Sequence, residues 1–172
     1  MSLVRFYLYR EKVIVPTVEL TEAGFYIDSK PLSVVSIRDR VQIQKLLVKA
    51  LSTPNTVVPT PDADVEAGSL LLEKLNLTKW SSFEKQAVMY TIYRGGGFIT
   101  VYATGRGADF MWSNEASHKR LFHPTLSAGM IAERIMEDMV KRPEARAEQF
   151  GLMVIPKEVQ EPKAIGQNAE AG

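Results

Sequence analysis

At 172 residues, 45% hydrophobic and 24% charged, the chain has the size and composition of a single globular domain with a substantial core. Its 21 basic and 20 acidic side chains nearly balance, so net charge gives no argument for nucleic acid, membrane or an acidic substrate, and any electrostatic role has to come from local clustering. Cysteine is absent, which excludes disulfides, thiol catalysis, iron–sulfur clusters and thiolate zinc sites.

The first residues, MSLVRFYLYREKVIV, place charge too early for the apolar core of a signal peptide. No run of about 18 apolar residues follows, so a membrane span is not expected and a cytoplasmic location is. Val4 to Arg10 alternates with period two, Val4, Phe6 and Leu8 on one face and Arg5, Tyr7 and Tyr9 on the other, the pattern of a strand. A turn at Glu11-Lys12 leads into a second strand, Val13 to Leu20, where Pro16 removes a ladder donor and demands an edge position or a bulge. Thr21 to Gly24 turns the chain into a short third strand, Phe25 to Asp28, followed by a loop containing Pro31.

Ser36 has the character of an N-cap, with Asp39 three residues on, for a helix reaching about Leu51. Its Ile43, Leu46, Leu47, Ala50 and Leu51 form one apolar stripe. Pro54, Pro59 and Pro61 make an extended connector. A second helix is expected over Asp62 to Leu75, weakened by Gly68, with Leu71, Leu72 and Leu75 buried. Trp80 and Phe83 then lie where they can pack under the next strands.

Ala87 to Trp112 is the strongest fold signal. Two runs rich in β-branched and aromatic residues flank Gly95-Gly96-Gly97, and Gly105-Arg106-Gly107 leads into Phe110 to Trp112, which reads as an antiparallel three-strand meander. A polar loop, Ser113 to Pro124, follows. Thr125 is placed to cap a helix to Arg142 with Ala128, Ile131, Ala132, Ile135, Met136 and Met139 on one side, stopped by Pro143. A short helix over Glu144 to Phe150 and a strand over Leu152 to Ile155 complete the pattern.

Both halves, 4–51 and 87–142, read as three strands followed by a helix, joined by a linker and helix over 52–86. The expected architecture is an α+β two-layer sandwich: an antiparallel sheet of about six strands from two β-β-β-α halves, helices packed on one face, a single domain over 1–156. The order of elements also suggests an internal repeat. Residues 157–172 are small, polar and proline-interrupted, the composition of a C-terminal tail that has no core of its own.

Arg94-Gly-Gly-Gly lacks the spacing and trailing lysine of a P-loop and joins two strands, so it reads as a hairpin turn. If the third meander strand ends at Trp112, topology collects Arg94, His118, Lys119, Arg120 and His123 at one sheet end and leaves Arg106 at the other. His118 and His123 are the only two histidines. Beside Lys119 or Arg94 they are the groups a metal-independent ribonuclease needs, which makes them the catalytic candidates. Glu115, His118 and His123 are metal-ligand types, but the spacing fixes no geometry, and neither a metal site nor a cofactor is expected. Arg94, Lys119 and Arg120 can contact a partner or phosphates, with Tyr93 and Phe122 offering flat faces. Solvated loop charge explains the same residues without a function. The reading that follows is a non-catalytic protein-binding module, such as a small immunity or antitoxin protein or a component of a phage or other large assembly. Nucleic-acid or phosphate binding is the alternative, and self-association is compatible with either.

Overall fold

The computed structural model describes residues 2–62, 68–95 and 97–145, with the backbone alone for 114–117. Among these residues seven strands make one sheet: β1 (Ser2–Tyr9), β2 (Lys12–Thr21), β3 (Tyr26–Ser36), β4 (Val57–Val58), β5 (Ala87–Gly95), β6 (Phe98–Arg106) and β7 (Trp112–Phe122). The order is β3-β2-β1-β5-β6-β7, with the two-residue β4 running parallel to the end of β2. The helices are α1 (Arg40–Ser52), α2 (Ser69–Leu75), α3 (Trp80–Glu84) and α4 (Ala128–Met139), and a 3₁₀ turn spans Pro143–Ala145. None is long and apolar enough to cross a membrane.

The fold is the α+β sandwich that the patterns predict, with one difference: the helices do not all lie on one face, because the tyrosines of β1 give the other face an apolar layer that two short helices cover. Each meander supplies its first strand to the centre, where β1 and β5 pair antiparallel from Ser2↔Arg94 to Tyr9↔Ala87. The two long helices lie side by side on one face. Ile43, Leu47 and Leu51 of α1 and Ile131, Ile135, Met136 and Met139 of α4 close over Val4, Phe6, Leu8, Val13, Val88, Tyr90, Ile92 and Val101. Phe6 and Tyr90 stack at 4.8 Å in that core. The short helices α2 and α3 cover part of the other face, packing Leu71, Leu72 and Phe83 against Tyr7, Tyr9, Ile14 and Ala87.

Several boundaries move. The first turn is at Arg10 and Glu11, both with positive φ, and Tyr9 pairs directly with Lys12. β3 does not stop at Asp28 but continues through the cis Lys30–Pro31 bond to Ser36, so the expected Pro31 loop is strand. The helix cap shifts from Ser36 to Asp39, which accepts from Gln42 N–H at 3.1 Å, because Ser36 still belongs to β3 and Ile37 N–H is held by Glu11 C=O at 2.7 Å. Likewise Ser127, not Thr125, caps α4. Of the second helix only Ser69–Leu75 is formed among the described residues. The largest change is β7. The turn lies at 107–111, where Gly107 N–H bonds Met111 C=O at 2.9 Å, and Phe110 sits in it. Ser113 to Phe122, expected as loop, is an edge strand paired with β6. The helix over Glu144 to Phe150 is described only as far as Ala145. The strand over Leu152 to Ile155 and the tail lie outside the described residues.

Pro16 sits at the bulge its missing N–H demands, where the β2–β3 register shifts between Pro16 and Thr17. There β2 has also parted from β1, whose direct pairing with it spans only Tyr7 to Tyr9. Asn55 closes the gap. Its Oδ1 accepts from Leu3 N–H, and its Nδ2 donates to both Leu3 C=O and Val18 C=O, all at 2.8 Å. One side chain thus replaces the missing rungs. Asn55→Ala should lower the unfolding free energy by about 2–4 kcal/mol, the cost of leaving these backbone groups unpaired. Asn55→Asp keeps one acceptor and loses both donors, so urea titration should show it recovering only part of the loss.

Candidate functional site

On the face opposite α1 and α4, the sheet and the short helices border an open cavity of about 740 Å³. Its walls include Phe25, Tyr26, Met89, Trp112 and Trp80, with Gly68 and Leu71 from the α2 side. The aromatic wall is one connected cluster. Trp80 meets Trp112 edge-on at 5.7 Å, Phe83 lies 5.2 Å from Trp80, and Tyr7 stacks on Trp112 at 6.2 Å. Trp112 Nε1–H donates to Ala87 C=O at 2.7 Å, which fixes its ring. Gly68 has φ +86°, and a Cβ there would come within 2.3 Å of the Trp80 ring, so only glycine allows Trp80 to lie against this backbone.

The polar part of the cavity comes from β1 and β3. Arg5 Nη1 donates to Asp28 Oδ1 at 2.9 Å, and the Tyr7 hydroxyl donates to Asp28 Oδ2. The ion pair is largely buried, with Arg5 21% and Asp28 9% exposed. Burial pushes the Asp28 carboxyl above its ordinary value, against the pull of Arg5 and of the Tyr7 hydroxyl. The Tyr7 phenol is raised well above 10, by burial first and the Asp28 charge second. Burial works against the Arg5 charge, yet Asp28 and Tyr7 outweigh it and hold the guanidinium above its usual value. Arg5 Nε–H is buried and has no partner among the described residues.

The same sheet face carries a second feature away from the cavity. Strand alternation turns Tyr93, Phe98, Thr100, Tyr102, Lys119 and Leu121 outward together, with Tyr93 opposite Thr100 and Tyr102 opposite Lys119. Phe98 is 54% and Leu121 61% exposed. Tyr93 meets Tyr102 edge-on at 5.8 Å, and Lys119 Nζ sits 5.6 Å over the Tyr102 ring.

The residues that the sequence groups at one sheet end are therefore divided between two faces. Tyr93 and Lys119 lie on the patch. His118, Arg120 and Phe122 turn toward α4, around a space of only about 10 Å³ that Tyr90, Ile135 and Asp138 also line. Arg94 Nη1 donates to Leu51 C=O at the end of α1. Arg106 does lie at the opposite end, bonding Ala87 C=O at 2.5 Å and Glu144 at 3.1 Å. His118 pairs with Ala103 inside β7, while His123 lies beyond its end with Nδ1 2.7 Å from Thr125 Oγ1. Five residues of nearly extended chain span roughly 16 Å, so the two imidazoles are not brought to one phosphate. The Glu115 side chain lies outside the described residues, and among those described no group of three metal-ligating side chains gathers.

No protein-family model matches the chain, and neither does any curated protein. Solved structures do. A protein of unknown function from Neisseria meningitidis matches with a TM-score of 0.57 at 12% identity, over 82% of this chain and 94% of the other. A chain of the CdiA-CT/CdiI toxin and immunity complex from Yersinia pseudotuberculosis matches with a TM-score of 0.53 at 13% identity, over 80% of this chain and 96% of that one. At these identities the likeness is one of fold.

Arg120 takes part in a network that joins α4 to the sheet. Asp138 accepts from the Tyr90 hydroxyl at 2.7 Å, from Arg120 at 2.9 Å and from Arg142 at 3.0 Å. Burial alone would raise the Asp138 carboxyl, but the Tyr90 hydroxyl and the two guanidinium groups together lower it below 3.8. A depressed carboxyl stabilises the fold fully above its unfolded value and loses that contribution as pH falls through the folded one. Asp138→Ala should therefore cost about 2–4 kcal/mol at pH 7. The difference from wild type should shrink below about pH 4, as denaturant titrations at several pH values would show.

Proposed function

We propose that this chain is a non-catalytic protein-binding module of the immunity type, which neutralises a toxin domain by binding it. The observation that carries the proposal is the likeness to a chain of a toxin and immunity complex, extending over nearly all of that chain. It supports the reading through the fold, and the surface adds to it. The outward patch on β5, β6 and β7 combines two tyrosines, a phenylalanine, a leucine and a lysine, with Phe98 and Leu121 both more than half exposed. Tyrosines are enriched at the energetic centres of interfaces, and clustered apolar exposure marks recognition surfaces. A cytoplasmic location fits a protein that protects its own cell.

The phosphate-binding reading has less support. Arg94 is engaged with Leu51 C=O and Arg120 with Asp138, leaving Lys119 as the outward cation of the three. A protein partner uses the patch as it stands.

The test is to search the genes that neighbour this chain's own for a toxin domain and to co-express the two, read by growth and by calorimetry on the purified pair. Restored growth and a 1:1 complex with a dissociation constant in the nanomolar range are expected, as for interfaces of standard size. Replacing Tyr102 and Leu121 together by serine should weaken binding by at least about 30-fold, since a single central anchor contributes roughly 2 kcal/mol or more. Unrestored growth with no complex would contradict the proposal.

A further inference from the structure

We propose that the cavity between the sheet and α2–α3 binds an organic cation through a methylated ammonium group. The lining is mainly aromatic and aliphatic, around an open space of about 740 Å³, within the range of small-molecule sites. Trp80, Trp112, Phe25 and Tyr26 supply the aromatic surface. The two indoles are held in place. Trp112 donates its indole N–H to Ala87 C=O, and Trp80 lies against a backbone that leaves no room for a Cβ at position 68. Their rings stand perpendicular, at 88°, with centroids 5.7 Å apart. Aromatic rings attract cations through their quadrupole, tryptophan most strongly, and methylated ammonium groups are recognised by sets of such rings.

The charges of the lining point the same way. They are Arg5, Asp28 and Asp62, one cation and two carboxylates. Arg5 is engaged with Asp28 at 2.9 Å, and its Nε–H is buried beyond a ligand's reach, so this pair presents little net charge to the cavity. Asp62 is exposed and leaves the lining with one negative charge in excess. Asp28 and Tyr7 are all but buried, which makes Asp62 the carboxylate that a ligand can touch. A primary ammonium is a strongly hydrated point charge with three donors to satisfy, and rings would leave some of them unpaired. A methylated ammonium needs fewer acceptors and fits walls of this kind. The site shares no residue with the outward patch, so it and the toxin-binding reading can fail separately.

The experiment titrates the full chain, at constant ionic strength, with choline and separately with 3,3-dimethylbutan-1-ol, its uncharged isostere. Both tryptophans of the chain line the cavity, so all indole emission reports on it. Choline should give a saturable 1:1 change in emission and bind on the order of tenfold more tightly than the alcohol. An acetylated trimethyllysine amide carries the same group on a peptide side chain and separates the two sources: tighter binding than choline assigns the site to a protein side chain, weaker binding to a free small molecule. Asp62→Asn, at an exposed position, should weaken choline about threefold and leave the alcohol unchanged. Trp80→Leu keeps an apolar wall and should remove most of the preference. Should that variant not fold, the Asp62 variant and the wild-type comparison decide. No saturable binding of choline, equal affinity for choline and the alcohol, or a preference undiminished in either folded variant would each overturn the proposal.

Discussion

Strand β1 is the constraint on which the rest depends. It pairs with β5 along its length and with β2 at one end, and it is buried on both faces. Phe6 and Leu8 belong to the core under α1 and α4, while Tyr7 and Tyr9 belong to the core under α2 and α3. All four are at most 5% exposed. A buried side chain of this size contributes roughly 1.5–3 kcal/mol, so one short strand anchors both hydrophobic layers. A slip of one residue would exchange the two sets and turn Arg5 into the apolar core, which makes the β1–β5 register strongly specified.

The two faces are built to different standards. Over one, two helices of 13 and 12 residues pack on an almost wholly apolar core, and the Asp138 network ties α4 to the sheet. Over the other, helices of seven and five residues are too short to hold themselves and depend on Leu71, Leu72 and Phe83 meeting the tyrosines of β1. The less completely covered face carries both the cavity and the outward aromatic patch. The division matches a common arrangement, in which a rigid layer positions a more adaptable one that makes contact with other molecules.

Much of this was legible in the residues. The alternation of β1, the apolar stripes of α1 and α4, the Pro16 bulge and the hairpin at Gly97, where φ is +81°, follow from local chemistry. β7 was not. Its sequence, WSNEASHKRLF, lacks hydrophobic alternation because an edge strand has no second neighbour and is protected by charge. Reading it as a loop placed His118, Lys119 and Arg120 together at one sheet end, whereas the pleat sends Lys119 to one face and its neighbours to the other. β3 continues past Pro31 for a similar reason: the backbone of β2 supplies the ladder that the local sequence does not advertise. The cavity is a matter of topology. Positions 5, 28, 80 and 112 meet only after the strands are ordered. Arg5 among the tyrosines of β1 was the one local sign that this face holds polar chemistry.

If β1 and β5 carry the stability while α2 and α3 form the adaptable layer, native-state hydrogen exchange should separate them. The β1 and β5 amides should exchange only through global unfolding, with the same free energy and the same denaturant dependence. The amides of α2 and α3 should exchange through local opening at several kcal/mol lower cost and with a weaker denaturant dependence. Protection of α2 and α3 equal to that of β1, or exchange of β1 amides through local opening, would contradict the account.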